Sequence, residues 1–337
     1  MSGRDDTYWN GRRVSVSGAG GFIGSHLAER LVRAGAQVRA MVRYNGRSEL
    51  GSLAHADADV RAAMEIIHSD VTDPYAVRRF VEGSDTVFHL AALIAIPYSY
   101  AAPASYVATN VSGTLHMLEA VRDLGIAHMV QTSTSETYGT ARTTPIDEDH
   151  PLQPQSPYAA SKVGADALAE SFHRAFDVPV ATIRPFNTFG PRQSARAVVP
   201  TIASQVLAGR SEIRLGDLRP RRDLTYVADT VEGFLAVARA PACVGMVTNI
   251  GSGTAVSIGE LAALIAELAG KPGLPIVTDA VRVRPEGSEV FELVADAHRA
   301  AELTGWRPEV SLRDGLRQAI EFVRNHPDAY DPDRYAT

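Results

Sequence analysis

Tyr158 and Lys162 stand four residues apart in the run Tyr158-Ala159-Ala160-Ser161-Lys162, and Thr134-Ser135-Glu136 precedes them by about one strand and one loop. On a helix, residues four apart share a face, so the Lys162 ammonium can approach the phenol. Such a cation acidifies the phenol. From an ordinary pKa near ~10, working near neutrality needs roughly 4 kcal/mol of differential stabilisation from nearby positive charge. A phenolate accepts a proton from a hydroxyl, and Glu136 adds a carboxylate that can serve as an elimination base. The set predicts proton transfer on a hydroxylated substrate. Glu136 could also cap a turn or pair with a cation.

The cofactor for such chemistry is predicted near the start of the chain. Val14 to Ser17 reads as a buried strand, Gly18-Ala19-Gly20-Gly21-Phe22-Ile23-Gly24 as a tight turn, Ser25 to Ala34 as a helix, and Gln37 to Val42 as a second strand. This is a complete βαβ unit, in which Gly18, Gly21 and Gly24 let the backbone of Phe22, Ile23 and the helix N-terminus approach a pyrophosphate. A nicotinamide dinucleotide is therefore expected, and its oxidised ring would add positive charge beside the phenol.

Further apolar runs alternate with helical stretches: Glu65 to His68, Thr86 to Leu90, His128 to Thr132, Val180 to Arg184 and Val247 to Ile250 as strands, with helices at 26–34, 73–81, 104–124 and 157–176. The alternation predicts an α/β fold with a Rossmann-type, doubly wound parallel sheet. From residue 185 onward prolines and glycines punctuate shorter elements, predicting a smaller C-terminal substrate-binding lobe. The expected division is 11–184 for the dinucleotide-binding domain, with 224–250 returning to it, and 185–223 plus 251–330 for the lobe.

The 337 residues suffice for a substantial core. A net charge of −6 argues against nucleic acid as partner, and the single cysteine, Cys243, excludes an intrachain disulfide framework and fits a reducing compartment. No apolar run approaches a membrane span, and the polar stretch 1–10 has no secretory character. The expectation is a cytoplasmic protein without a metal site.

The ordered motifs resemble the extended short-chain dehydrogenase/reductases of the sugar-nucleotide epimerase/dehydratase group. Besides the glycine loop and Tyr158/Lys162, these are Asp70-Val71, His89-Leu90-Ala91-Ala92, Asn110, Arg184-Pro185-Phe186-Asn187, Arg222 to Val227 and Gly305-Trp306-Arg307-Pro308. Within the group, Ser133 to Gly139 is similar to the segment of GDP-mannose 4,6-dehydratases and of N-acetylhexosamine dehydratases of legionaminic-type pathways. The resemblance implies that Thr134 hydrogen-bonds the sugar 4-hydroxyl, Tyr158 removes its proton, and Glu136 takes the C5 proton after oxidation at C4, with loss of the C6 hydroxyl and hydride return. Many related glucose dehydratases have Asp where this chain has Ser135, so protonation of the leaving hydroxyl falls to Glu136, a water or another group. The resemblance also implies cofactor contacts from Asp70, Val71, Leu90, Ala91 and Ala92. It implies substrate contacts from Ser99, Ser135, Asn187, Arg222 and Arg284, the arginines on the diphosphate.

Two departures matter. Ile94 and Ile96 replace more polar residues and would form an apolar wall beside the hexose, or simply pack in the core. At the end of the second strand Arg43 stands where an acid would bond the ribose hydroxyls; it could stack on adenine or pair with a 2′-phosphate, and NADP is favoured over NAD. The reading is an NAD(P)-dependent sugar-nucleotide 4,6-dehydratase, homodimeric through helices 104–124 and 157–176. Its rivals are a 4-epimerase, a 5,6-dehydratase variant of nucleoside antibiotic biosynthesis, and a cofactor-sensing protein without turnover.

Overall fold

Seven short apolar runs pair side by side in a computed structural model that describes residues 6–282, 287 and 289–332. The strands in chain order are β1 (Arg13–Ser17), β2 (Gln37–Arg43), β3 (Met64–Ser69), β4 (Thr86–His89), β5 (His128–Thr132), β6 (Val180–Pro185), β7 (Asn187–Phe189), β8 (Ile213–Leu215), β9 (Arg221–Tyr226), β10 (Val247–Ile250), β11 (Ala255–Ser257), β12 (Ile276–Thr278) and β13 (Glu292–Leu293). The main sheet runs β10-β6-β5-β4-β1-β2-β3, and every neighbouring pair is parallel. This is the expected Rossmann-type order, with the winding reversing between β1 and β4, where open α/β sheets form their ligand crevice. β4 is buried along its whole length because helices cover both faces.

Local chemistry sets the helix ends. The helix Pro157–Phe176 starts where the Ser156 hydroxyl accepts from Ala159 N–H at 3.1 Å, with Pro157 in the first turn, and stops at Asp177 in the left-handed region (φ 54°). The predicted helix 104–124 is present but unevenly wound. An α-turn at Pro103–Tyr106 passes through wider π turns at Val107–Ser112 into the α-helix Gly113–Asp123. The π segment carries Asn110, whose side chain is pulled sideways into tertiary hydrogen bonds.

After β6 the chain leaves the main sheet. β9 is the centre of a second sheet, parallel to β7 and β13 and antiparallel to β11, while β8 pairs with β12. Asp223 on β9 locks this region, its carboxylate accepting from the N–H groups of Ser252, Gly253 and Ala295. The helix Val227–Arg239 returns to the main sheet and is tied to the first helix, Phe22–Arg33, by Arg30–Glu232 at 2.7 Å. Trp306 Nε1 donates to Asp229 O and Val310 N to the Asp229 carboxylate, anchoring the C-terminal segment. Among the described residues no helix is long and apolar enough to cross a membrane.

Candidate active site

The glycine loop sits where β1 ends, and its backbone packs at distances only glycine permits. Gly18 has φ 73°, and a Cβ on it would lie 2.7 Å from Ala91 N. A Cβ on Gly24 would lie 2.2 Å from Gly18 O. The helix Phe22–Arg33 begins on Gly21 with no side-chain cap, so its N-terminal N–H groups and positive dipole end suit an anion. These features fit a dinucleotide pyrophosphate.

A buried polar chain links this loop to the helix that carries Tyr158. Ser17 Oγ accepts from Leu90 N (3.1 Å) and Ala91 N (3.2 Å), so its own proton goes to His89 Nδ1 at 2.8 Å. Burial, reinforced by the Lys162 charge, lowers the His89 pKa to about 3, so the ring is neutral and its Nε2–H donates to Thr114 Oγ1 at 3.2 Å. Thr114 donates to Asn110 O. The Asn110 amide donates to Leu93 O and Ser161 Oγ and accepts from Leu93 N, while Ser161 donates to Tyr158 O. Ser17, Thr114 and Ser161 were not singled out in the sequence, because hydroxyls at such separations carry no periodic signal.

Thr134, Glu136 and Tyr158 come together at the ends of β5 and the helix Pro157–Phe176. Thr134 caps the single turn Ser135–Tyr138, accepting from Glu136 N at 3.3 Å, and its hydroxyl shares a hydrogen bond with the Tyr158 phenol. Of the four residues in that turn, Ser135, Thr137 and Tyr138 are buried and Glu136 is left partly exposed, near enough for its charge to act on the phenol. Lys162 lies beneath, 4 % exposed.

Burial dominates the electrostatics of this pair. Burial pushes the Tyr158 phenol well above the ordinary tyrosine range, opposed by the Thr134 hydrogen bond and aided by the Glu136 charge. Lys162 is held by the backbone of β5. Its Nζ donates to the Thr132 carbonyl at 2.5 Å, and burial brings its own pKa down to about 8 against the raising effect of Asp166. The ammonium is thus held toward the end of β5, and an oxidised nicotinamide bound here would add positive charge beside the phenol.

Asp166, one further turn along that face, was missed. It accepts from Ser133 Oγ (2.5 Å) and Arg184 Nη2 (2.9 Å), and Arg184 Nη1 donates to Tyr138 OH (3.0 Å), which donates to Asn249 Oδ1 (2.8 Å). Its i+4 spacing from Lys162 was the available signal.

The other expected residues are placed unevenly. Leu90, Ala91 and Ala92 follow β4 over the glycine loop, and Val71 is buried against Gly113. Asp70 forms a turn with Thr72 and lies 3.8 Å from the mostly exposed Arg43. Asn187 opens β7 with a buried Oδ1 that has no protein partner. Arg222 pairs with Glu289 at 3.1 Å and lines a cavity of about 260 Å³ with Leu224, Ser252, Thr254 and Val310. Ser135 and Ser99 are fully enclosed; the Ser99 hydroxyl is turned onto Ile96 O at 2.7 Å, inside its own helix turn. Ile94 and Ile96 do not form one wall. Ile96 opens a helix and packs behind Tyr158 with Tyr106, whereas Ile94, in the loop before that helix, is 62 % exposed. Arg284 lies outside the described residues.

Comparison with known proteins fits this geometry. The family described as GDP-mannose 4,6 dehydratase matches residues 16–319. A UDP-glucose 4-epimerase of Mycolicibacterium smegmatis is 34% identical over 93% of this chain and 99% of its own length. The dTDP-glucose 4,6-dehydratase of Streptomyces venezuelae, solved with NAD bound, superposes with a TM-score of 0.84 at 29% identity, covering 95% of this chain and 99% of that one. An NAD-dependent NDP-hexosamine 5,6-dehydratase involved in tunicamycin biosynthesis superposes with a TM-score of 0.81 at 30% identity, over 96% and 100%. With its glycine loop, its tyrosine–lysine helix and a match over nearly its whole length, the chain belongs to the GDP-mannose 4,6-dehydratase family, the sugar-nucleotide dehydratases and epimerases of the extended short-chain dehydrogenase/reductase type.

Proposed function

We propose that the protein is a sugar-nucleotide 4,6-dehydratase. The observation that carries the reading is Glu136, a partly exposed carboxylate held by the Thr134 cap beside the Tyr158 phenol. A bound nicotinamide supplies the acceptor, and later the donor, of the substrate hydride. Thr134 holds the sugar 4-hydroxyl and Tyr158 takes its proton as C4 becomes a ketone. The ketone acidifies C5–H, Glu136 removes that proton, and the C6 hydroxyl leaves as water. Asn187, with its unpartnered amide oxygen, and Arg222 are the groups for the sugar and its diphosphate.

Relatives of both reaction types keep a 4-epimerase in view, in which hydride returns to C4 from the other face and C6 keeps its hydroxyl. Glu136→Gln separates the two. C4 oxidation should survive, while C5 exchange and water loss fall by roughly 10²-fold or more and reduced cofactor accumulates. The measurement is a single turnover in D₂O, following cofactor absorbance and deuterium at C5. Unchanged dehydration in the variant removes Glu136 from catalysis; wild-type enzyme that yields only a C4 epimer sinks the dehydratase reading.

The NADP preference is part of the proposal and rests on Arg43, whose guanidinium is 77% exposed at the end of β2. The NAD bound in the Streptomyces venezuelae structure weighs on the other side. NADP⁺ should bind the apoprotein more tightly in direct titration; tenfold tighter NAD⁺, about 1.4 kcal/mol, defeats the preference. A homodimer is also proposed, supported by Val107 and Phe176, which the two long helices leave exposed.

A further inference from the structure

Arg192 is a non-glycine residue in the left-handed region, φ 68°, with a side chain only 10% exposed. Both features are costly, and such strain persists where surrounding contacts over-determine it. The contacts all run one way. Arg192 lies in the turn that follows β7, on the substrate side. Its Nη2 donates to Glu29 Oε2 at 2.7 Å and to His55 O at 3.1 Å, and its carbonyl accepts from Ser52 Oγ at 3.3 Å. Pro191 O is bonded by His26 Nε2 at 3.0 Å. Glu29 and His26 lie on the helix that opens at the glycine loop, and Ser52 N donates to Gly20 O of that loop at 2.8 Å.

One turn of the substrate side therefore holds both the helix and the neighbouring strap that frame the pyrophosphate cradle. We propose that Arg192 is a positioning residue, a latch that keeps the glycine loop closed and slows release of the dinucleotide. The inference rests on the reading of that loop as the cofactor cradle and is independent of which sugar reaction follows. His26, whose Nε2 bonds Pro191 O, is the second arm of the latch.

The test compares two partly buried ion pairs on the same helix. Arg192–Glu29 reaches the turn after β7, whereas Arg30–Glu232 reaches the helix Val227–Arg239, away from the loop. Dissociation of NADPH or NADH, whichever the wild type binds more tightly, from the holoenzyme is followed by stopped-flow fluorescence for wild type, Arg192→Met and Arg30→Met, with thermal melts of each. The latch predicts at least tenfold faster release for Arg192→Met, release within twofold of wild type for Arg30→Met, and partial recovery in Arg192→Lys. Equal acceleration by both Met variants means a general loss of packing and overturns the proposal, as does an unchanged rate in Arg192→Met. Failure of both NADH and NADPH to bind wild-type protein overturns the cradle reading itself.

Discussion

At the scale of single residues, the least expected feature is a buried lysine, proposed to be catalytic, whose charge is set from below. Lys162 has lost its water, which favours the neutral amine, and Asp166 restores part of the preference for the ammonium. Asp166 is itself fixed by Ser133 and Arg184. Because the Lys162 pKa is lowered to about 8, the ammonium is present below that pH and is lost above it. The alkaline limb of kcat/KM should therefore fall near pH 8, and Asp166→Asn should move it to lower pH. The variant also leaves Arg184 buried without its counter-charge, which lowers stability, so the profile must be taken at a temperature well below its melting point. A limb that does not move would show that Asp166 serves the Arg184 pair alone.

At the scale of elements, much was legible because the determinants are local. The main-sheet strands are apolar runs bounded by turn residues, and helix 157–176 announces itself by Ser156 and Pro157. The glycine loop was readable for the same reason, since positive φ at Gly18 and close approach at Gly24 exclude other residues. What the sequence hid depends on partners far along the chain. The π turns around Asn110 are set by bonds to Leu93 and Ser161, and the opposite fates of Ile94 and Ile96 by how the segment after β4 turns against Tyr106. The lysine's partner was hidden too: spacing places Tyr158 and Lys162 on one face but does not say that the Thr132 carbonyl accepts from Lys162.

At the scale of the whole molecule, one apolar core runs from the first βαβ unit into the C-terminal helices, joining Trp9, Phe88, Phe234, Trp306 and Leu316. The two lobes should therefore melt together. Two histidines buried at the joints make that melting sensitive to acid. His26, in the latch, has its pKa lowered to about 4 by burial and then by Arg192, and His89, in the polar chain, to about 3 by burial and then by Lys162. Both are neutral in the folded protein at pH 6, whereas in the unfolded chain they titrate near 6.5. Below pH 6.5 the unfolded state thus binds more protons, and stability must fall as pH decreases until the folded-state values are reached. Glu148 and Asp223 act in the opposite sense, because burial raises their pKa and the folded state then takes protons first, which blunts the loss at the acid end. Thermal melts should decline as a single transition as pH falls below about 6.5. His89→Asn should start from a lower melting temperature but descend less steeply, having one buried imidazole fewer to protonate; a slope identical to wild type would mean that the acid sensitivity arises elsewhere.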